Sequence, residues 1–147
     1  MKNKNVYQVI KSDERFSILA QILESTGIGE AMAQEQKVFT FFAPTDTALS
    51  HFPQSAIKLL KSPDGKDLAV AILGRHVVPG TYLYSDDLRK QDRLKPLNGG
   101  YVKIKVEKNA LKYGRAPVRT PGIAAMNGVV FPVDRILPAR TRRIPRA

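Results

Sequence analysis

The 147-residue sequence contains no cysteine and only two histidines. Without cysteine the chain can form no disulfide, thiolate metal site or thiol nucleophile, and its redox compartment stays undetermined. The histidines, His51 and His76, are 25 positions apart, which matches none of the ligand spacings of recognisable metal sites. The sequence therefore predicts no metal site and no cofactor.

Long apolar runs are also missing. No run approaches the roughly 18 apolar residues of a membrane-spanning helix. The first residues, MKNKNVYQVIKSDER, contain no apolar core long enough for a signal peptide. We therefore expect neither a transmembrane segment nor a signal peptide within this chain, although a secreted protein whose signal had been removed would look the same.

Positive charge is abundant and unevenly distributed. The formal net charge is +11. Residues 1–70 contain 8 Lys and Arg against 8 Asp and Glu, whereas residues 71–147 contain 16 against 5, so the whole excess lies in the second half. Such asymmetry favours an anionic partner such as nucleic acid, an acidic polysaccharide or an anionic cell surface, and charge alone does not choose among them.

The first half of the chain predicts mainly helices. Phe16, Leu19, Ala20 and Leu23 follow helical spacing, with Ser12 or Asp13 placed to cap the start and Gly27 to end the helix. Residues 38–43 form a short apolar run that predicts a buried strand. Two further helices are predicted over residues 54–60 and 68–73.

The second half predicts mainly strands. In YVKIKV, Val102, Ile104 and Val106 alternate with Lys103 and Lys105, which is typical of a strand with one buried face and one basic face. A hairpin follows, and an Asn-Gly turn precedes a last strand over residues 129–137. A proline within that last strand predicts an edge position or a bulge.

Asp46, Ser50 and His51 have the composition of a hydrolase triad. In a helix, however, Ser50 and His51 diverge around the axis, and Asp46 lies nearer Ser50 than His51. The Gly-x-Ser-x-Gly elbow of many serine hydrolases is absent. A structural interpretation accounts for the same residues, because Thr45 or Asp46 can cap the helix that follows the strand.

Three segments, in order, resemble the fasciclin domain family. VFTFFAPTDTAL is similar to its first signature, AILGRHVVPGTYLYSDDL to its central segment, and NGVVFPVDRILPA to its second signature. The resemblance implies an α+β fold in which helices cluster against a β-sheet wedge. It predicts a single fasciclin-like domain over residues 1–137 and a basic, disordered tail over residues 138–147.

The resemblance also assigns motif positions, which we interpret as mainly structural: Thr45, Asp46, His76, Asn127, Gly128 and Asp134. Arg75 stands where the family often has tyrosine before the histidine. Candidate partner-binding residues combine this position with the cations of the second half: Arg75, His76, Lys103, Lys105, Lys112, Arg140, Arg142, Arg143 and Arg146.

By resemblance, the chain is a non-enzymatic adhesion or interaction module that binds a protein or an acidic polysaccharide. Its expected location is extracellular, periplasmic or at a cell surface. The alternative is an intracellular basic protein with non-specific affinity for nucleic acid, for which a steep salt dependence would be diagnostic. No helix-turn-helix, zinc finger or aromatic stacking motif accompanies the charge, so the sequence predicts no specific nucleic-acid recognition.

Overall fold

A computed structural model describes residues 4–34, 38–80, 82–97, 99–107, 110–119 and 122–136. Seven α-helices in these ranges are α1 (Val6–Lys11), α2 (Ser17–Thr26), α3 (Ile28–Met32), α4 (Asp46–Leu49), α5 (Gln54–Leu60), α6 (Lys66–Leu73) and α7 (Ser85–Arg89). Eight strands are β1 (Phe39–Pro44), β2 (Val77–Pro79), β3 (Arg93–Leu94), β4 (Val102–Glu107), β5 (Ala110–Tyr113), β6 (Ala116–Val118), β7 (Ile123–Ala125) and β8 (Gly128–Val133). The predicted tail over residues 138–147 lies outside the described residues.

Local sequence signals account for the helical half. Asp13 accepts a hydrogen bond from the Arg15 backbone N–H and caps a short 3-10 turn that leads into α2. Gly27 ends α2 with a φ of 79°, a left-handed conformation that glycine adopts without steric strain. The predicted helix stop at Gly27 is therefore confirmed, whereas the predicted start is replaced by this 3-10 turn and α2 begins at Ser17; α5 matches its predicted range.

At the centre of the sheet, the first strand of the chain pairs with the last described strand. The strand order is β2-β1-β8-β6-β5-β4-β3, with β7 paired to β8 outside this path. Strands β1 and β8 run parallel from the pair Phe39 and Gly128 to the pair Pro44 and Val133, and both strands are buried throughout. Two strands buried on both faces require packed layers on either side of them.

Those layers form two hydrophobic cores. On one side, helices α1, α2, α3 and α6 pack against Phe39, Phe41 and Val130. On the other side, Phe42 and Phe131 pack against β4, β5, β6 and α7. The Phe42 ring stacks on the Tyr113 ring at a centroid distance of 3.9 Å. Helices therefore cover one side of the central strands β1 and β8, and further strands of the sheet cover the other side, which confirms the predicted α+β wedge.

The last strand differs from its prediction. It ends at Val133 rather than at residue 137, and it lies in the sheet interior rather than at an edge. Pro132 is tolerated because it falls where the antiparallel partner changes: β7 pairs with β8 as far as Val130, and β6 pairs with it at Val133. Across the described ranges, no helix combines the length and apolar character needed to cross a bilayer.

Candidate anion-binding face

The outer face of β4 carries the predicted row of cations. Lys103 and Lys105 are exposed, while Val102 and Ile104 point into the second core. Val106 was predicted to be buried with them, but it is 46% exposed because the hairpin extends past the edge of the core. The alternation therefore holds for the part of β4 that has a core beneath it.

The sheet register places further cations directly beside these lysines. Arg93 on β3 lies opposite Lys103, and Lys112 on β5 lies opposite Lys105. Residues directly opposite on neighbouring antiparallel strands have Cβ atoms about 5 Å apart, and like charges there destabilise the pairing. We call Arg93, Lys103, Lys105 and Lys112 the basic face.

Two contacts moderate the repulsion on the basic face. Lys112 Nζ lies 3.5 Å from Glu107 Oε1, in an exposed pair of the kind that contributes little to stability. The Arg93 guanidinium lies 4.1 Å from the ring centroid of Tyr101, which is itself 55% exposed. A cation held over an aromatic ring is partly stabilised by the ring quadrupole. Among the described residues, Lys103 and Lys105 have no ion-pair partner.

His76 is not on this surface. Its side chain is fully buried, and its Nδ1 lies 2.9 Å from the Ile72 carbonyl oxygen, so Nδ1 carries a proton and donates it. Burial lowers the pKa of His76 to about 4, an effect opposed by the Ile72 hydrogen bond and reinforced by the charge of Arg75. The ring is therefore neutral and cannot contact a partner in this conformation, which corrects its place among the partner-binding candidates.

Arg75 is half-buried in the turn between α6 and β2, and its side chain reaches the loop that follows β3. Its Nη1 donates to the Gly99 carbonyl oxygen at 3.4 Å, and its Nε is buried without a partner among the described residues. The Arg75 carbonyl oxygen accepts a hydrogen bond from the Tyr113 hydroxyl at 2.8 Å. The backbone of Arg75 is thus held by Tyr113 of the second core, and its side chain is partly buried against the loop that contains Gly99.

The other motif residues act as structural connections. Thr45 Oγ1 caps α4 by accepting from the Ala48 N–H, and it donates to Asp134 Oδ1 at 2.8 Å. Asp134 also accepts from Arg119, at 2.9 Å from Nε and 2.6 Å from Nη2. The Arg119 and Thr45 hydrogen bonds lower the pKa of Asp134 although burial of the carboxyl opposes them.

Asp46 caps a different helix from the one it begins. Its carboxylate accepts from the Ser17 hydroxyl and, at 2.8 Å, from the Ile18 N–H at the start of α2. Ser50 donates instead to the Thr47 carbonyl oxygen at 2.6 Å. Asp46, Ser50 and His51 therefore do not form the hydrogen-bond relay of a triad.

Asn127 and Gly128 hold the last strand against the helices. Asn127 is fully buried and bonds to the backbone of both α1 and the end of α3. A Cβ at Gly128 would collide with the Phe39 carbonyl oxygen, so only glycine allows β1 and β8 to pair this closely. The tail candidates Arg140, Arg142, Arg143 and Arg146 lie outside the described residues.

The Fasciclin domain family model matches residues 14–139. This chain belongs to the fasciclin domain family. Protein sll1483 of Synechocystis sp. is 30% identical over 132 residues, which cover 90% of this chain and 72% of that protein. The transforming growth factor-beta-induced protein ig-h3 of Sus scrofa is 33% identical over 132 residues, 90% of this chain but 19% of that protein.

A solved structure shares the fasciclin fold. It is the domain pair of the insect cell adhesion molecule Fasciclin I, which matches with a TM-score of 0.82 and 20% sequence identity over 96% of this chain and 53% of that one. The predicted family and fold class are both confirmed. This fasciclin domain thus corresponds to most of the cyanobacterial relative but to a fraction of the animal one.

Arg93, one of the four residues of the basic face, was missed from the sequence, as was the position of Tyr101 beside it. Arg93 lies on a strand of two residues, which is too short to give a periodic pattern, and Tyr101 lies just before β4. Only the register between β3 and β4 brings Arg93 beside Lys103. The fasciclin domain therefore carries a broader cationic surface than the alternation in YVKIKV predicts.

Proposed function

We propose that this fasciclin domain is a non-enzymatic adhesion or interaction module that binds an acidic surface polymer through the basic face. The observation that carries the proposal is the strand register, which places two pairs of cations directly opposite each other: Arg93 faces Lys103, and Lys105 faces Lys112. Each pair destabilises the isolated sheet. A bound polyanion would remove that repulsion, so the arrangement is better suited to a ligand than to the domain alone.

The shape of the basic face favours a polymer over a small anion. Its four cations lie on three neighbouring strands, which at about 4.8 Å per strand distributes the charge over roughly 10 Å of an open surface. An extended chain with repeated negative charges can contact all of them at once. Tyr101 adds an exposed aromatic ring beside Arg93, on which the apolar side of a sugar ring can pack.

We further propose that the domain acts outside the cytoplasm, in an extracellular, periplasmic or cell-surface setting. The support is family membership together with the description of the structural relative as a cell adhesion molecule. A protein partner with an acidic surface would use the same cations. Nucleic acid is the competing polyanion, and it serves as the comparison ligand in the test.

The test measures binding of the full chain to heparin, an acidic polysaccharide, at increasing salt concentration. The variant K103Q/K105Q/K112Q removes three charges from the basic face. Its control, K58Q/K61Q/K66Q, removes three charges from the helical side and has the same formal net charge. We expect the first variant to weaken binding by at least about tenfold and the control to weaken it much less, because local rather than net charge is decisive.

Equal losses in the two variants would show that only net charge matters, and the proposed face would be wrong. Undetectable heparin binding at low salt would refute the polymer proposal altogether. A duplex DNA fragment is measured alongside. Tighter binding to DNA than to heparin, with the steep salt dependence of counterion release, would favour the nucleic-acid alternative.

A further inference from the structure

A cleft opens at the carboxyl end of the parallel pair β1 and β8. After β1, the chain continues through α4 to His51 and Phe52; after β8, it continues to Arg135 and Ile136. The turn before β6 adds Arg115. The cavity between these segments has a volume of about 400 Å³, within the range of small-molecule sites.

The cleft has an apolar floor and a cationic rim. Ala48 is buried, and Phe52 and Ile136 are half-buried against the helical core. Arg115, Arg135 and His51 are exposed and line the same cavity. A ligand that fills it must therefore place an apolar body against Phe52 and Ile136 while its polar end faces two guanidinium groups.

The two arginines are not neutralised by neighbouring carboxylates. Asp134, next to Arg135 in sequence, pairs with Arg119 and accepts from Thr45. The Asp46 carboxylate already accepts hydrogen bonds from Ser17 and Ile18 at the start of α2. Within the described ranges neither Arg115 nor Arg135 forms an ion pair. Two unpaired guanidinium groups beside one apolar cavity create a site for an oxyanion, which their planar N–H groups can bind in a bidentate manner.

We propose that this cleft binds a small amphiphilic anion, with a carboxylate or phosphate head at Arg115 and Arg135 and an apolar body on Phe52 and Ile136. The cleft is lined by none of the four residues of the basic face, and the proposal does not depend on polymer binding. Because two cations meet the head group, affinity should rise with its charge when the apolar body is held constant.

The test is an NMR titration of the full chain with three ligands that share a hexyl chain: hexyl phosphate, hexanoate and hexanol. Inorganic phosphate is the ligand without an apolar body. We expect affinity to decrease in the order hexyl phosphate, hexanoate, hexanol, with amide shifts centred on Ala48, Phe52 and Ile136. The variants R115Q and R135Q should each weaken binding of hexyl phosphate about fivefold or more.

The exposed Arg89, on α7, provides the control variant R89Q, which should bind like the parent. Because Arg115 and Arg135 are also exposed, their substitution leaves the core intact, and unchanged thermal unfolding confirms this. Absence of shifts at the cleft, equal affinity for hexanol and hexyl phosphate, or equal affinity for inorganic phosphate and hexyl phosphate would each overturn the proposal. Tighter binding of hexanoate than of hexyl phosphate would contradict the expected dependence on head-group charge.

Discussion

The side-chain oxygen of Asn127 accepts a hydrogen bond from the backbone N–H of Val6, 121 positions earlier in the chain, at 2.9 Å. The Asn127 amide nitrogen donates to the carbonyl oxygens of Met32 at 2.7 Å and Gln34 at 3.2 Å. One buried side chain thus satisfies the start of α1 and the end of α3 together.

Replacing Asn127 with alanine should lower the free energy of unfolding by about 2–4 kcal/mol, because it leaves several buried backbone groups without partners. Urea denaturation followed by circular dichroism measures this. The exposed Gln91 provides the control Q91A, with an expected change within about 0.5 kcal/mol. Similar values for both variants would contradict a structural role for Asn127.

Gly128 and Gly27 should respond to alanine for different reasons. At Gly128 the new Cβ meets the Phe39 carbonyl oxygen, and separating β1 from β8 disturbs the centre of the sheet, so we expect a loss of several kcal/mol or failure to fold. At Gly27 the Cβ has open space, and only the left-handed backbone opposes it, at about 1 kcal/mol. Denaturation midpoints that reversed this order would refute the argument.

His76 should make stability depend on pH. The pKa of His76 is about 4 in the folded chain, whereas an unperturbed histidine has a pKa of 6.5. Between these two pH values the unfolded chain therefore binds more protons than the folded chain. The stabilisation is complete above about pH 6.5 and declines as pH falls towards 4, by a total of about 3 kcal/mol.

The pH dependence can be assigned because the chain has only two histidines. The H51Q variant replaces an exposed side chain, so it should still lose stability between pH 6.5 and 4. In H76Q this loss should disappear, from a lower starting stability. A slope that survived in H76Q would show that another group is responsible. Urea midpoints at half-unit pH intervals provide the measurement.

Lys103 should oppose stability while supporting binding. In K103E the new carboxylate faces Arg93 and precedes Lys105 by two positions on the same strand face, so repulsion becomes attraction. We expect an increase of up to about 1 kcal/mol in the free energy of unfolding, with a smaller increase in K103Q. Heparin affinity should fall in both. A K103E variant that was less stable than the parent would contradict the like-charge argument.

Most segments with strong local signals were predicted correctly, whereas contacts between segments distant in sequence were not. Helix α5 and the hairpin of β4 and β5 follow from periodicity and turn residues. Helix α1 was missed although Asn5 and Gln8 form a capping box there, a signal that could have revealed it. No local pattern could show that Asp46 caps α2, because the two segments meet only in the folded chain.

The basic face likewise combines residues that the sequence predicted with contacts that only the folded sheet determines. Alternation in β4 predicted the exposed lysines, but the identity of their neighbours depends on register, which is a property of the assembled sheet. The family resemblance identified His76, but its complete burial is a property of the folded chain. Sequence reasoning therefore found three of the four cations of the basic face, but neither Arg93 nor the like-charge pairs on which the binding proposal rests.

The parallel pairing of β1 with β8 also constrains how the chain folds as it is synthesised. Helices α1 to α6 emerge from the ribosome long before the strand that completes the surface beneath them. Pairing between segments distant in sequence has an entropic cost of loop closure, so β1 and β8 pair only after both have been synthesised. We therefore expect a nascent chain that stops before Gly128 to remain sensitive to protease. Resistance should appear only once β8 has cleared the exit tunnel, so this domain completes its folding after its last strand has been synthesised.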